Sequence, residues 1–237
     1  MKSTNLSKAL ALGQTRKLTE SQEIEILRLI TRYRPFQLGF KTPYNATLFM
    51  WTRELLMQLI LKKYQVELTE SGLVKYLTRW GFPKVNREES KQEQCDKTIR
   101  KWLDMHLEAT IARSINEKAQ IYWLGHSGFV SLHAKFEPGK KYYYIPVISN
   151  QGRLHWLTIT GRFNPKRQVM LLKSLVAQNR VKVFLIRKTA THFNTSLVKE
   201  WLLKNQHVLE ILPPSGWFNE LHGLTPIISK QYEVAEL

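Results

Sequence analysis

Ser71, Lys75, Thr78 and Arg79 fall at successive steps of four, three and one, so a helix would present two hydroxyls, an ammonium and a guanidinium on one face. Such groups donate to phosphate oxygens and to base edges in a duplex groove; none of them breaks a covalent bond. Residues able to do bond-breaking chemistry are poorly arranged for it. The seven histidines (His106, His126, His133, His155, His192, His207 and His222) include no pair four apart on an expected helix and no His-Glu-x-x-His motif. Ser127 follows His126 without a Gly-x-Ser-x-Gly frame, and Pro138-Gly139-Lys140-Lys141 lacks the spacing of a phosphate-cradling loop. No metal site and no cofactor is expected.

Charge points the same way. Lys and Arg number 36 against 19 Asp and Glu over 237 residues, a formal net charge of +17 and a pI near 10.0. Like charges repel in the compact state, so the excess implies a polyanionic partner, with nucleic acid ahead of an anionic membrane surface. The lone Cys95 excludes an internal disulfide framework and a multi-cysteine zinc site, and it suits a reducing compartment. The longest apolar run, from Leu55 to Leu61, is broken by Gln58, far short of the roughly 20 residues a membrane span needs. With no secretory signal apparent, a cytoplasmic, nucleoid-associated protein is expected.

The elements that must hold the basic face follow from spacing. Residues 1–17 read as a flexible basic arm, its Arg16 and Lys17 suited to phosphates. Thr19-Glu20-Ser21-Gln22 has capping-box spacing, and Ile24, Leu27 and Ile30 continue it to a stop at Arg34-Pro35. A second helix is expected from Leu48 to Tyr64, a short turn at 65–68, and a third helix capped by Thr69 and running through Trp80. Leu73, Leu77 and Trp80, with Val74, would turn inward, leaving Ser71, Lys75, Thr78 and Arg79 outside: the helix-turn-helix pattern. Residues 85–118 read as a linker and connecting helix. From Ile121 the period shifts to strands at 121–124, 128–136, 142–149, 153–160, 182–186 and 208–212, with helices at 165–177 and 195–204. Leading strands followed by alternating helix and strand predict a mixed sheet with helices on its faces, α/β in that half and α+β overall.

Arg16 to Gln22, Leu38-Gly39-Phe40, Leu48 to Glu54 and Leu73 to Gly81 resemble the winged helix-turn-helix half of bacterial insertion-sequence transposases, in the insertion-sequence-630 branch of the mariner superfamily. Ile121-Tyr122-Trp123, Thr160 to Asn164, Lys182 to Ile186, His192 and Leu212-Pro213-Pro214 resemble its ribonuclease-H-like catalytic half. The resemblance implies a winged helix-turn-helix over 18–84, with Arg53 joining Ser71, Lys75, Thr78 and Arg79 on DNA, and a ribonuclease-H-like domain over 119–237. It also implies double-stranded DNA as partner and a homodimer.

The family cuts and rejoins DNA with three carboxylates that clamp two divalent ions. Gly125 stands at the first of those positions, Arg187 or Lys188 at the second, and His222 or Glu220 at the third. The last aspartate in the chain is Asp104; residues 105–237 hold 17 Lys and Arg against 8 Glu. The expectation is a catalytically inactive transposase homologue, a DNA-binding protein serving transcriptional or mobile-element regulation. Two other readings stay open: an active transposase using Glu220, and a protein-interaction adaptor.

Overall fold

The structure, a computed structural model, describes residues 16–41, 50–82, 96–125, 128–129, 141–189 and 191–214. Four helices come from the N-terminal half: α1 (Glu20–Arg32), α2 (Arg53–Tyr64), α3 (Glu70–Arg79) and α4 (Lys97–Asn116), with a 3₁₀ turn at Pro35–Leu38. The strands are β1 (Trp51–Thr52), β2 (Gln120–Leu124), β3 (Gly128–Phe129), β4 (Tyr142–Ser149), β5 (Leu154–Thr160), β6 (Val183–Ile186) and β7 (Leu209–Leu212). Helices α5 (Pro165–Gln178) and α6 (Ser196–Asn205) lie between the later strands.

Local chemistry sets the helix starts. Thr19 Oγ1 accepts from Gln22 N at 3.3 Å while Gln22 Oε1 accepts from Thr19 N at 2.8 Å, the reciprocal box the sequence predicts. Thr69 Oγ1 accepts from Gly72 N at 3.1 Å and opens α3. The second helix starts five residues later than its spacing predicts. Thr52 is its N-cap, accepting from Leu55 N at 3.2 Å, and Trp51–Thr52 pair with β5 instead. A fully buried indole packs as well on a pleated sheet as on a helix, and its cross-strand partner Trp156 decides between them. Within the stretch read as linker and connecting helix, the helix starts at Lys97, where Asp96 caps it through Ile99 N at 2.9 Å. Of the strand expected over 128–136, Gly128–Phe129 is present and the rest lies outside the described residues.

The sheet runs β1-β5-β4-β2-β6-β7, with β3 added beside β4. Strands β5, β4 and β2 are joined by antiparallel pairing, while β6 and β7 run parallel to β2. Alternation sorts the side chains. Tyr144, Ile148, Leu154 and Trp156 face α1, α2 and α3 in one core, and Ile121, Trp123, Phe184, Ile186 and Leu212 extend that face under α4. Ile145, Val147, Leu157, Leu185 and Ile211 point the other way, under α5 and α6. This is the mixed sheet with helices on both faces that the alternation predicts. The helical unit is anchored to it: Phe82 packs on Tyr144 at 5.1 Å and on Trp156 at 5.7 Å, ring pairs each worth about 0.5–1.5 kcal/mol beyond area burial.

His155 sits on β5 against the Tyr122 ring at 5.5 Å, and burial pulls its pKa down to about 4. The unfolded chain therefore takes up this proton first as pH falls, so the contribution is complete above about 6.5 and is lost towards 4. The full shift corresponds to about 3 kcal/mol. Chemical unfolding at pH 7 and pH 4 is expected to show that much less acid sensitivity in His155→Gln than in the natural chain; equal sensitivity would remove His155 from the acid response.

Candidate nucleic-acid interface

Helix α3 is held against α1 by one buried acid. Glu23, 3% exposed, accepts from Trp80 Nε1 and from Arg79 Nη1, each at 2.8 Å. It lies three, four and seven residues before the buried Ile26, Leu27 and Ile30, on the apolar stripe of α1. Leu18 N also donates to Tyr76 Oη at 3.0 Å. Together these bonds fix how α3 stands on the body of the protein. Glu23→Ala is expected to destabilise the fold by about 2–3 kcal/mol, because it leaves an indole N–H and a guanidinium without their acceptor. Glu23→Gln, which retains one acceptor oxygen, should cost less in the same denaturant titration.

The outer face of α3 carries Glu70, Ser71, Lys75, Thr78 and Arg79, all exposed, while Leu73, Tyr76 and Leu77 are buried. Val74, expected inside, is half-buried, and Tyr76 takes its place in the core. Thr78 Oγ1 donates to Val74 O at 2.9 Å, which orients that hydroxyl along the helix. Arg79 is positioned differently from its neighbours. Its guanidinium lies 5.0 Å over the Tyr76 ring and pairs with Glu23, so at 36% side-chain exposure it braces α3 from the C-terminal end. The sequence pattern misses this because the partner lies 56 residues upstream; the acid on an apolar stripe is the one available signal. Ser71, Lys75 and Thr78 remain as the outward set.

The other basic candidates lie around this unit. Arg16 and Lys17 are exposed just before α1, and Lys17 Nζ donates to Glu67 O in the turn between α2 and α3 at 2.9 Å. Gln65 enters that turn at φ +55°, in the left-handed region. Arg53 opens α2 half-buried, with its Nε enclosed.

At the far end of the sheet, parallel strands β2 and β6 bring Gly125 and Arg187 together, just past the paired Trp123 and Ile186. Gly125 is buried, and its N–H donates to Pro146 O at 2.8 Å. Arg187 is 1% exposed. It donates to His192 O at 3.0 Å, to Asn194 Oδ1 at 3.3 Å and to Pro213 O at 2.7 Å. Burial pulls its pKa down to about 10, with the Asp96 charge opposing, so it stays cationic at neutral pH. Lys188 is half-buried, and its carbonyl accepts from Asp96 N at 2.9 Å. His192 is held below its ordinary pKa by burial and by Lys188 and Arg187. His222 and Glu220 lie outside the described residues, as do His126 and Ser127.

Asp96, the carboxylate whose charge acts on Arg187 and His192, caps α4 through Ile99 N, and three glutamates are paired as well. Arg113 bonds both oxygens of Glu210 and also Glu117, and Lys182 donates to Glu117 at 2.7 Å. Glu200 pairs with Lys204 at 2.7 Å. No group of three or more His, Cys, Asp or Glu converges for a metal among the described residues. A guanidinium about 4 Å from a divalent ion, at an effective dielectric near 20, repels it by about 8 kcal/mol before screening. The described residues at this sheet end do not fit two divalent cations.

Residues 49–104 match the family described as winged helix-turn helix, which spans β1, α2, α3 and the first part of α4. No curated protein matches the sequence. Among solved structures, the Mos1 strand transfer complex is similar over 67% of this chain and 56% of that chain, at 12% identity and a TM-score of 0.31. No helix among the described residues is long and apolar enough to cross a membrane. The N-terminal half thus carries a winged helix-turn-helix segment, set on a mixed sheet in an α+β chain.

Proposed function

We propose that this protein binds double-stranded DNA through the exposed face of α3 and does not cut it. In this reading it is a transposase-derived regulator of transcription or of mobile elements, from the insertion-sequence-630 branch, acting as a homodimer on the nucleoid. The outward set Ser71, Lys75 and Thr78 on the second helix of a winged helix-turn-helix carries the binding half of the reading. The hydroxyls would reach base edges or phosphates, and Lys75 would pair with a phosphate or a guanine edge. The resemblance puts Arg187 or Lys188 where the family needs a carboxylate; both are basic, and Arg187 is bonded to three acceptors, which supports the loss of cleavage. Occupancy of a site would then be the protein's whole output.

The test combines a binding titration with a strand-cleavage assay on duplexes selected from genomic DNA. The full chain is expected to bind and to leave the strands intact with Mg²⁺ or Mn²⁺. Ser71→Ala with Lys75→Ala should weaken binding by about tenfold or more. Metal-dependent strand breaks above background would overturn the inactive reading. Unchanged affinity in the double variant would move the interface off α3 and favour a protein-docking adaptor.

A further inference from the structure

Helix α4 buries one side and leaves an apolar stripe on the other. Ile99, Trp102 and Leu103 pack on the sheet, and Thr110 and Ser114 are buried further along. On the opposite side Met105, Ile111 and Ile115 are 55%, 40% and 71% exposed, with Ala109 and Ala112 exposed between them. A helix whose only task was to cover a sheet would be polar there. Met105, Glu108, Ala112 and Ile115 follow at steps of three, four and three, the spacing of a seam between two paired helices. The charge of this stretch departs from the rest of the molecule. Residues 102–112 carry Asp104 and Glu108 and no Lys or Arg, in a chain of net +17. Such a face repels a phosphate backbone and attracts a basic protein.

We propose that this face pairs with the same face of a second copy of the chain, the two α4 helices running antiparallel about a two-fold axis near residue 110. The proposal rests on the homodimer of the preceding reading and deepens it by naming the surface. Charge decides the direction. In a parallel pair Glu108 would meet its own copy across the seam, a like-charge contact that costs stability. With the direction reversed, Met105 lies opposite Ile115 and Glu108 lies opposite Ala112, a small side chain that its methylene stem can cover. Asp104, beside the seam, comes level with Lys118 of the second copy, exposed just past the helix end, and the two-fold axis repeats the pair. A two-fold contact needs a patch complementary to itself, and the stripe from Asp104 to Lys118 has that property. One helix face lies at the small end of specific interfaces, below about 1,200 Å² in total, so the dimer should dissociate at about micromolar concentration.

The experiment is sedimentation equilibrium of the full chain from about 1 to 100 μM, with Ile115→Glu, Asp104→Lys, Lys118→Asp and the double variant Asp104→Lys/Lys118→Asp. All three positions are exposed, so the variants should keep the fold. The natural chain is expected to dimerise within this range. Ile115→Glu should weaken the dimer at least tenfold, and each single charge reversal about threefold to tenfold, since two exposed pairs are lost at once. The double variant restores opposite charges and should return to within about twofold of the natural chain. A natural chain that stays monomeric overturns the face, and so does a dimer indifferent to Ile115→Glu. A double variant as weak as the single ones overturns the antiparallel pairing. The number of copies on one duplex is read separately: two copies on DNA with a monomeric free chain would remove this face and leave the homodimer reading, whereas a single copy on DNA would remove both.

Discussion

Raising monovalent salt from about 50 to 200 mM should weaken duplex binding by about 10³–10⁵-fold, the range expected when six to ten phosphates are contacted. The driving force is release of condensed counterions from DNA, so it scales with the number of cations that reach phosphates and not with net charge as such. A formal +17 is more than enough supply, but much of it is already committed. Arg79 serves Glu23, Lys63 pairs with Glu25 at 2.8 Å, Arg113 and Lys182 serve Glu117 and Glu210, and Arg187 is enclosed. Exposed cations around the helix-turn-helix, Arg16 and Lys75 among them, are placed to reach phosphates. The measurement is the slope of log affinity against log salt. A shallow slope, near that of one or two contacts, would mean that the positive charge serves something other than a duplex.

Which parts of this structure can be read in advance depends on whether a residue's partner is near it in sequence. The box at Thr19 and Gln22 closes over three residues, so it is legible. The same holds for the Thr69 cap and for β4 and β5, whose turn places Gly152 at φ +77° within a pattern of aromatic and β-branched residues. Trp51 is not legible, because helical spacing and strand pairing differ there only through Trp156, far along the chain. Arg79 belongs to the same class: its position on α3 satisfies the outward pattern, and only a buried Glu23 on another helix turns it aside. The resemblance leaves the second acidic position to Arg187 or Lys188, and the cationic character of Arg187 is plain from the sequence. Its place as the hydrogen-bonding centre of the sheet end is not, since its acceptors come from two separate segments.

Arg187→Met is expected to destabilise the protein by about 3–5 kcal/mol, the range for breaking a buried charged hydrogen-bond set from one side. The side chain ties β6 to the turn holding His192 and Asn194 and to the carbonyl of Pro213 after β7, with bonds of 3.0, 3.3 and 2.7 Å. Methionine fills a similar volume without donors, so packing is largely kept and the lost acceptor partners dominate. Desolvating a guanidinium is itself costly, and the downward shift of its pKa to about 10 shows that burial is only partly offset. The variant therefore loses less than the three bonds suggest in isolation, which places the cost well below the sum for charged bonds in an apolar medium. Arg187→Lys should fall between the two, since an ammonium keeps the charge but lacks the planar fork needed to span acceptors on opposite sides. Arg153→Ala, on an exposed residue of the β4–β5 turn, sets the baseline and should change stability by less than about 0.5 kcal/mol. Denaturant unfolding of the three variants against the natural chain decides the matter. If Arg187→Met matches the Arg153 baseline, the cage around Arg187 contributes nothing to the fold, and its occupation of the sheet end would need another cause.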